Sequence, residues 1–348
     1  MPLIAYHASH EQFRPSRLLE WTQHAETAGF HGFFSSDHFH PWSEAQGNAG
    51  FSWSWVGAAL ARTGLAGRMI CCPGYRQHPA VVAQAGATLA EMFEGRFWMA
   101  VGSGQALNER ITGQRWPAKQ ERNARLRECA EVIRALWDGE TVTHHGLVHV
   151  EEAKLYTRPK KRPLLVGAAV TEATAHWLGS WAEGLITTSR PPEELRKIVD
   201  AFRRGGGEGK PLFLKVGLSY DRTDAAARAG AHQQWRSVSF ANELLTELRT
   251  PREFDEAGKY VRPEDMDDQI RISASLDQHV EWLTGDLELG FTELILHNIN
   301  TNQEQFIDDF GSTVIPALGA ADEFGRSGEV PPAEQSAEEE RPRRVNES

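Results

Sequence analysis

Residues 32–42 read Gly32-Phe33-Phe34-Ser35-Ser36-Asp37-His38-Phe39-His40-Pro41-Trp42, a short apolar run that turns abruptly into an acid, two imidazoles and an indole. The first half has the length and composition of a buried strand, and Pro41 keeps the strand from continuing. In parallel α/β folds the loops after strand ends carry chemistry while the strands stay packed, so a ligand site is expected here. Asp37 beside His38 can fix the imidazole tautomer and raise its basicity, which suits proton transfer near neutral pH.

Working outward, the same strand-then-helix unit recurs. Short apolar runs at residues 3–7, 32–36, 67–72, 96–101, 163–166, 184–187, 212–219 and 294–297 predict eight strands. Helical spacing follows at 17–28, 55–61, 79–93, 121–137, 172–181, 193–203 and 303–318. Residues 142–156 alternate about His145-Gly146 and predict a β-hairpin insertion, while 225–271 is predicted to be mostly helical. Together these predict an α/β fold over residues 1–318, a (β/α)8 TIM barrel with insertions, since the plain barrel needs only ~250 residues. An open doubly wound sheet would carry a Gly-rich turn after its first strand, and His7-Ala8-Ser9-His10-Glu11 has none. Residues 319–348, rich in Glu, Pro, Ser and Arg, are expected to form a disordered acidic tail.

The 348 residues carry 37 Lys and Arg against 48 Asp and Glu, a formal charge of −11. Without a basic cluster this argues against nucleic acid or anionic lipid as a partner. No apolar run approaches the roughly 18 residues of a membrane span, and the first residues lack a secretion signal. Cys71, Cys72 and Cys129 are an odd set without zinc-ligand spacing. A cytoplasmic, reduced and soluble protein is expected.

The loop residues resemble the bacterial luciferase-like superfamily, in particular the branch containing deazaflavin-dependent glucose-6-phosphate dehydrogenase and, closer still, a side branch of it that uses FMN in place of the deazaflavin. The resemblance rests on residues 36–42, on His78-Pro79-Ala80-Val81-Val82-Ala83-Gln84-Ala85, and on Gly102-Ser103-Gly104-Gln105-Ala106-Leu107-Asn108-Glu109. Trp116-Pro117, Arg125-Leu126-Arg127-Glu128 and His297 with Gln305-Phe306 complete it. It implies a flavin-type oxidoreductase acting on a small molecule, with the cofactor ring in the barrel mouth. Asp37 would contact the cofactor, His38 would lie at its reactive centre and Trp42 would wall the substrate side. Ile70, Cys72 and Asn108 would also meet the cofactor, and Met69-Ile70 matches a non-prolyl cis peptide of relatives. Gly167, Val170 and Thr171 would face its phosphate through backbone amides at a helix start. Thr188, Arg190 and Arg271 would meet the substrate. A homodimer through barrel helices is expected by analogy.

Three departures from the family pattern bear on the chemistry. Gln105 replaces a catalytic Glu, and an amide cannot take a proton. Glu256 stands near a phosphate-binding Lys position, with Lys259 three residues on, which disfavours glucose-6-phosphate as substrate. Val170-Thr171 replaces a Gly-Gly pair that allows close backbone approach. Because that replacement narrows the path for a long cofactor tail, FMN is expected, supporting monooxygenation or hydride transfer, with a separate flavin reductase as an optional partner. Coenzyme F420 is the alternative cofactor.

The bland readings are plain. His144, His145 and His149 read as surface histidines without carboxylates in register. Trp177 and Trp181 read as packing residues, whereas Trp42, Trp53, Trp55 and Trp116 read as pocket walls. A rival places a metal-dependent hydrolase on His38-x-His40, but later strands do not complete its ligand set and no metal is expected. A barrel that merely sequesters flavin is the other rival.

Overall fold

In the computed structural model, which describes residues 2–267 and 269–319, the chain begins β1 (Leu3–Ala8), α1 (Pro15–Thr27), β2 (Gly32–Ser36), α2 (Ser52–Arg62), β3 (Ala66–Cys71), α3 (Pro79–Met92) and β4 (Phe97–Val101). The short α4 (Ala106–Glu109) and the long α5 (Lys119–Asp138) lead into a hairpin of β5 (Val142–His145) and β6 (His149–Ala153). Then come β7 (Leu165–Ala168), α6 (Glu172–Gly179), β8 (Leu185–Thr188), α7 (Pro192–Phe202) and β9 (Leu212–Ser219). The long insertion holds α8 (Asp224–Trp235), α9 (Asn242–Glu247), α10 (Pro251–Gly258) and the two-residue β10 (Arg271–Ile272). The series closes with α11 (Leu276–Glu288), β11 (Glu293–Asn298) and α12 (Gln303–Asp309). The tail expected beyond residue 319 lies outside the described residues.

The strands pair in parallel in the order β1-β2-β3-β4-β7-β8-β9-β11, and β11 returns to β1 with Leu3 opposite Glu293 and Tyr6 opposite Leu296. That closure makes the predicted (β/α)8 barrel, with β10 a short appendage on β9. The predicted strands fall within a residue or two of those observed. The helix α11 was not predicted, although Ser275 caps it by accepting from Gln278 N–H and Leu276, Val280, Leu283 and Leu287 have helical spacing. No helix among the described residues is long and apolar enough to cross a membrane.

Side chains alternate in and out along each strand, so the barrel interior is stacked in layers. At the bottom Arg68 and Glu293 form a buried ion pair at 2.7 Å. Above it Ala5, Phe34, Trp98, Phe213 and Ile295 fill the interior. Two residues further along their strands, His7, Lys215 and His297 take the inward places. Apolar packing ends there, and the site begins.

Candidate active site

A cavity of about 1040 Å³ opens over the C-terminal ends of the strands. His38 lines it from the loop after β2, with Nδ1 2.5 Å from Glu11 Oε1. Glu11 comes from the loop after β1 and is itself held by Ser9, whose hydroxyl donates to Oε2 at 2.9 Å. Trp42 meets the imidazole edge-on at 5.3 Å between ring centres. Burial alone would raise the Glu11 carboxyl. The charge and hydrogen bonding of His38, with Lys215 further off, instead hold it well below the ordinary carboxylate range, so Glu11 is an anion. With Nδ1 committed to that anion, Nε2 is the atom left to exchange protons with a molecule in the cavity. No protein partner for it exists among the described residues.

The acid next to His38 in the sequence is therefore not its partner. Asp37 is buried behind the loop, where Oδ2 accepts from Arg76 at 2.9 Å and contacts Gln77 Nε2. It does not line the cavity, contrary to the expected cofactor contact, because the Arg76 guanidinium draws it inward. Asn108 is likewise displaced from its expected place. Its Oδ1 accepts from the N–H groups of Phe39 and His40 at 2.9 and 3.1 Å, which fixes the loop that presents His38. Cys72 sits beneath Gly104, close enough that a Cβ there would come within 2.6 Å of Sγ; Gly104 also has a φ of +77°. Gly167 packs against Leu178 of α6 and leaves no room for a side chain. Neither Cys72 nor Gly167 lines the cavity, and the Met69–Ile70 peptide is trans.

The structure does bring Trp42, Ile70, Gln105, Val170, Thr171, Thr188 and Arg190 around one cavity with His38. Arg271 is absent from it. Its guanidinium turns to α11 and binds Asp286 at 2.5 and 2.7 Å, an ion pair that leaves it no free face for a substrate. Thr171 spends its hydroxyl as the N-cap of α6, accepting from Thr174 N–H at 3.4 Å. Val170 and Thr171 both line the cavity at the start of α6. Glu256 is exposed and paired with Lys259 at 2.6 Å, away from the cavity.

Of the four tryptophans expected as walls, Trp42 lines the cavity. Trp53 donates to Gln77, Trp55 packs on His10 and Phe33, and Trp116 stacks under Arg122. Trp177 and Trp181 meet edge-on against the core. His40 Nδ1 donates to the Leu107 carbonyl at 2.8 Å, whereas His38 Nδ1 meets Glu11, so the two rings belong to different networks. His144 has a carboxylate in register after all, Glu128 at 2.9 Å, which anchors the hairpin to α5.

Sequence reading missed Glu11, Trp235, Lys119 and the role of Lys215. Glu11 had a signal, a carboxylate just past a strand end, which the search for glycines in that loop passed over. Lys119 reaches Ser103 Oγ at 3.4 Å; Arg122 and Arg190 also line the cavity, as do Glu243 and Glu247, and Arg122 is paired with Glu247 at 2.9 Å.

A family model described as luciferase-like monooxygenase matches residues 3–293. The F420-dependent glucose-6-phosphate dehydrogenase of Beutenbergia cavernae is 35% identical over 329 residues, covering 91% of this chain and 97% of that protein. The enzyme of the same name from Mycobacterium tuberculosis is 33% identical, covering 90% and 97%. Among solved structures, an F420-dependent secondary alcohol dehydrogenase in complex with an F420-acetone adduct superposes with a TM-score of 0.85 at 28% identity, covering 91% of this chain and 99% of that one. A monooxygenase from Streptomyces bottropensis, at 18% identity and a TM-score of 0.70, shares the fold.

Proposed function

Because the chain belongs to the luciferase-like monooxygenase family and is an oxidoreductase, we propose that it moves a hydride between coenzyme F420 and a small alcohol or carbonyl compound. This replaces FMN as the first choice of cofactor. The expectation of FMN rests on Val170-Thr171 and on the likeness to an FMN-using side branch; both residues line the cavity of about 1040 Å³. The names of relatives at 33–35% identity favour the deazaflavin, and FMN belongs to more distant ones. The catalytic unit is taken as residues 1–318, and a homodimer remains part of the proposal. The reductase partner does not.

The residues present fit such a cofactor. The cavity is at the upper end of ligand-pocket sizes. Ile70, Ala168 and Ile186 give it an apolar floor, and Lys119 and Arg190 are the cations available to an anionic tail, Arg122 being paired with Glu247 at 2.9 Å. Thr171 and the first turn of α6 would lie along the phosphate, and Gln105 would face the ring with its amide. When bound, the deazaflavin accepts or delivers the hydride.

The observation that carries the reading is the Glu11–His38 pair with Nε2 open to the cavity. In alcohol oxidation, His38 accepts the hydroxyl proton at Nε2 as the hydride leaves carbon, and Glu11 stabilises the resulting imidazolium. In the reverse direction the imidazolium returns that proton to the carbonyl oxygen. Gln105 cannot take this role, because an amide orients a substrate without exchanging its proton. Trp42 covers His38 from one side and limits water there.

Equilibrium titration of the apoprotein with F420 and with FMN, in both redox states, tests the cofactor. The expected result is tighter binding of F420. Tighter FMN binding, or no F420 binding up to about millimolar concentration, would overturn the reading.

A further inference from the structure

The Glu11–His38 chemistry leaves one charged group in the barrel unused. Lys215 projects inward from β9, directly above the apolar layer, and lines the cavity floor. It has no hydrogen-bond or ion-pair partner among the described residues. Its ammonium lies 5.9 Å from the centre of the Trp235 ring, and Trp235 in turn packs edge-on against His297 at 4.6 Å. A lysine in this position is expensive to desolvate and persists mainly where something compensates it. Burial lowers its proton affinity, and Glu11 opposes that effect. Glu11, however, is already in contact with His38 and Ser9.

The other titratable groups around Lys215 do not supply a counter-charge. His7 and His297 meet at 4.2 Å between ring centres, tilted by 48°. Burial first, and the Lys215 charge second, push both well below the ordinary imidazole value, so they are neutral. Thr188 is the register neighbour of Lys215 across β8 and β9, which places the two backbones about 4.8 Å apart. Its side chain also lines the cavity, and its hydroxyl has no partner among the described residues.

We propose that Lys215 and Thr188 together bind a carboxylate of the substrate, which makes the substrate a small hydroxy acid or the corresponding oxo acid. The carboxylate would lie on the cavity floor, with the hydroxyl or carbonyl group directed to His38 Nε2. An ammonium and a hydroxyl carried by register neighbours that line one cavity suit a carboxylate, held by a charge-assisted bond. The inference rests on the hydride-transfer reading for the reaction and adds the class of substrate.

The test compares probes that differ only in that charge: lactate against lactamide, and 3-hydroxybutyrate against 3-hydroxybutanamide. Cofactor loading is established first by deazaflavin fluorescence, and each probe is then titrated into the loaded protein with thermal stabilisation as the readout. The acids should bind wild type at least ~10-fold tighter than their amides, as a charge-assisted contact requires. Lys215→Met should abolish the preference, Thr188→Val should reduce it, and Lys215→Arg should keep part of it. Equal binding of acid and amide to wild type, no binding of either acid, or a preference that survives Lys215→Met would each overturn the anchor. If Lys215→Met does not fold, the wild-type preference and its reduction in Thr188→Val decide the matter. If wild type binds no deazaflavin, the same titration is run on the unloaded protein. A surviving preference for the acids would then retain the anchor while the cofactor reading fails.

Discussion

Glu11 Oε1 lies 2.5 Å from His38 Nδ1, although 27 residues and a barrel strand separate the two. The contact joins loops after neighbouring strands β1 and β2, so closing the barrel is what creates it. A buried carboxylate on one imidazole nitrogen and an open cavity on the other is the arrangement that lets a histidine move a proton in a fixed direction. Asp37, adjacent in sequence, belongs to a different network.

That network gives a prediction about stability. The side chains of Asp37 and Arg76 are both buried, and Arg76 has a second carboxylate, Glu109, at 3.6 Å. Asp37→Ala should lower unfolding free energy by about 3 kcal/mol, the scale for leaving one partner of a buried pair unmatched. Adding Arg76→Met should recover part of the loss. Urea unfolding of the three proteins checks this, and a change below ~0.5 kcal/mol for Asp37→Ala would show the pair to be structurally idle.

His279 predicts a pH dependence. It is buried on α11, donates from Nε2 to the Ser273 carbonyl at 3.1 Å and is packed by Trp282 and Phe310. Burial is the main cause that lowers its pKa from 6.5 to about 4. Since the folded value is the lower one, the unfolded chain binds more protons in that window. Stability is therefore full above pH 6.5 and falls as pH drops towards 4, by on the order of 3 kcal/mol from this group. His279→Gln should show a correspondingly shallower loss between those pH values, and an unchanged slope would contradict the assignment.

Glucose-6-phosphate should be a poor substrate. His38 supplies the base, but the phosphate lacks its site: Arg271 is held by Asp286 at 2.5 and 2.7 Å, and Glu256 stands at the expected Lys position, paired with Lys259 away from the cavity. Incubation with F420 and glucose-6-phosphate should give no bleaching of the deazaflavin, and Gln105→Glu should restore little. Robust wild-type turnover would mean that Arg190 and the rim cations suffice to hold the phosphate.

The barrel was legible because each strand is a short apolar run followed by a helical period, and strand packing imposes that pattern locally. Loop position was legible too: residues 36–42, Gln105 and Val170-Thr171 all arrive at the mouth. Pairings within the mouth were not. Whether a carboxylate meets His38 from the next residue or from another strand depends on side-chain direction, which Arg76 decides by pulling Asp37 away. Arg271 shows the same limit, since its partner Asp286 lies on a helix that the sequence reading left unassigned. Lys215 stood in a strand otherwise apolar, and that exception was the visible mark of the cavity floor.

The most direct test of the central claim is the rate of deazaflavin bleaching in stopped flow, with 3-hydroxybutyrate or 2-propanol, whichever wild type oxidises faster. His38→Ala, Glu11→Gln and the double variant are compared at equal cofactor loading. If Glu11 works through His38, His38→Ala should slow the step by ~10²-fold or more and Glu11→Gln by a comparable amount. The double variant should then be no slower than His38→Ala alone, because the two losses belong to one unit. A Glu11→Gln variant at the wild-type rate, or a double variant whose losses multiply, would contradict the account.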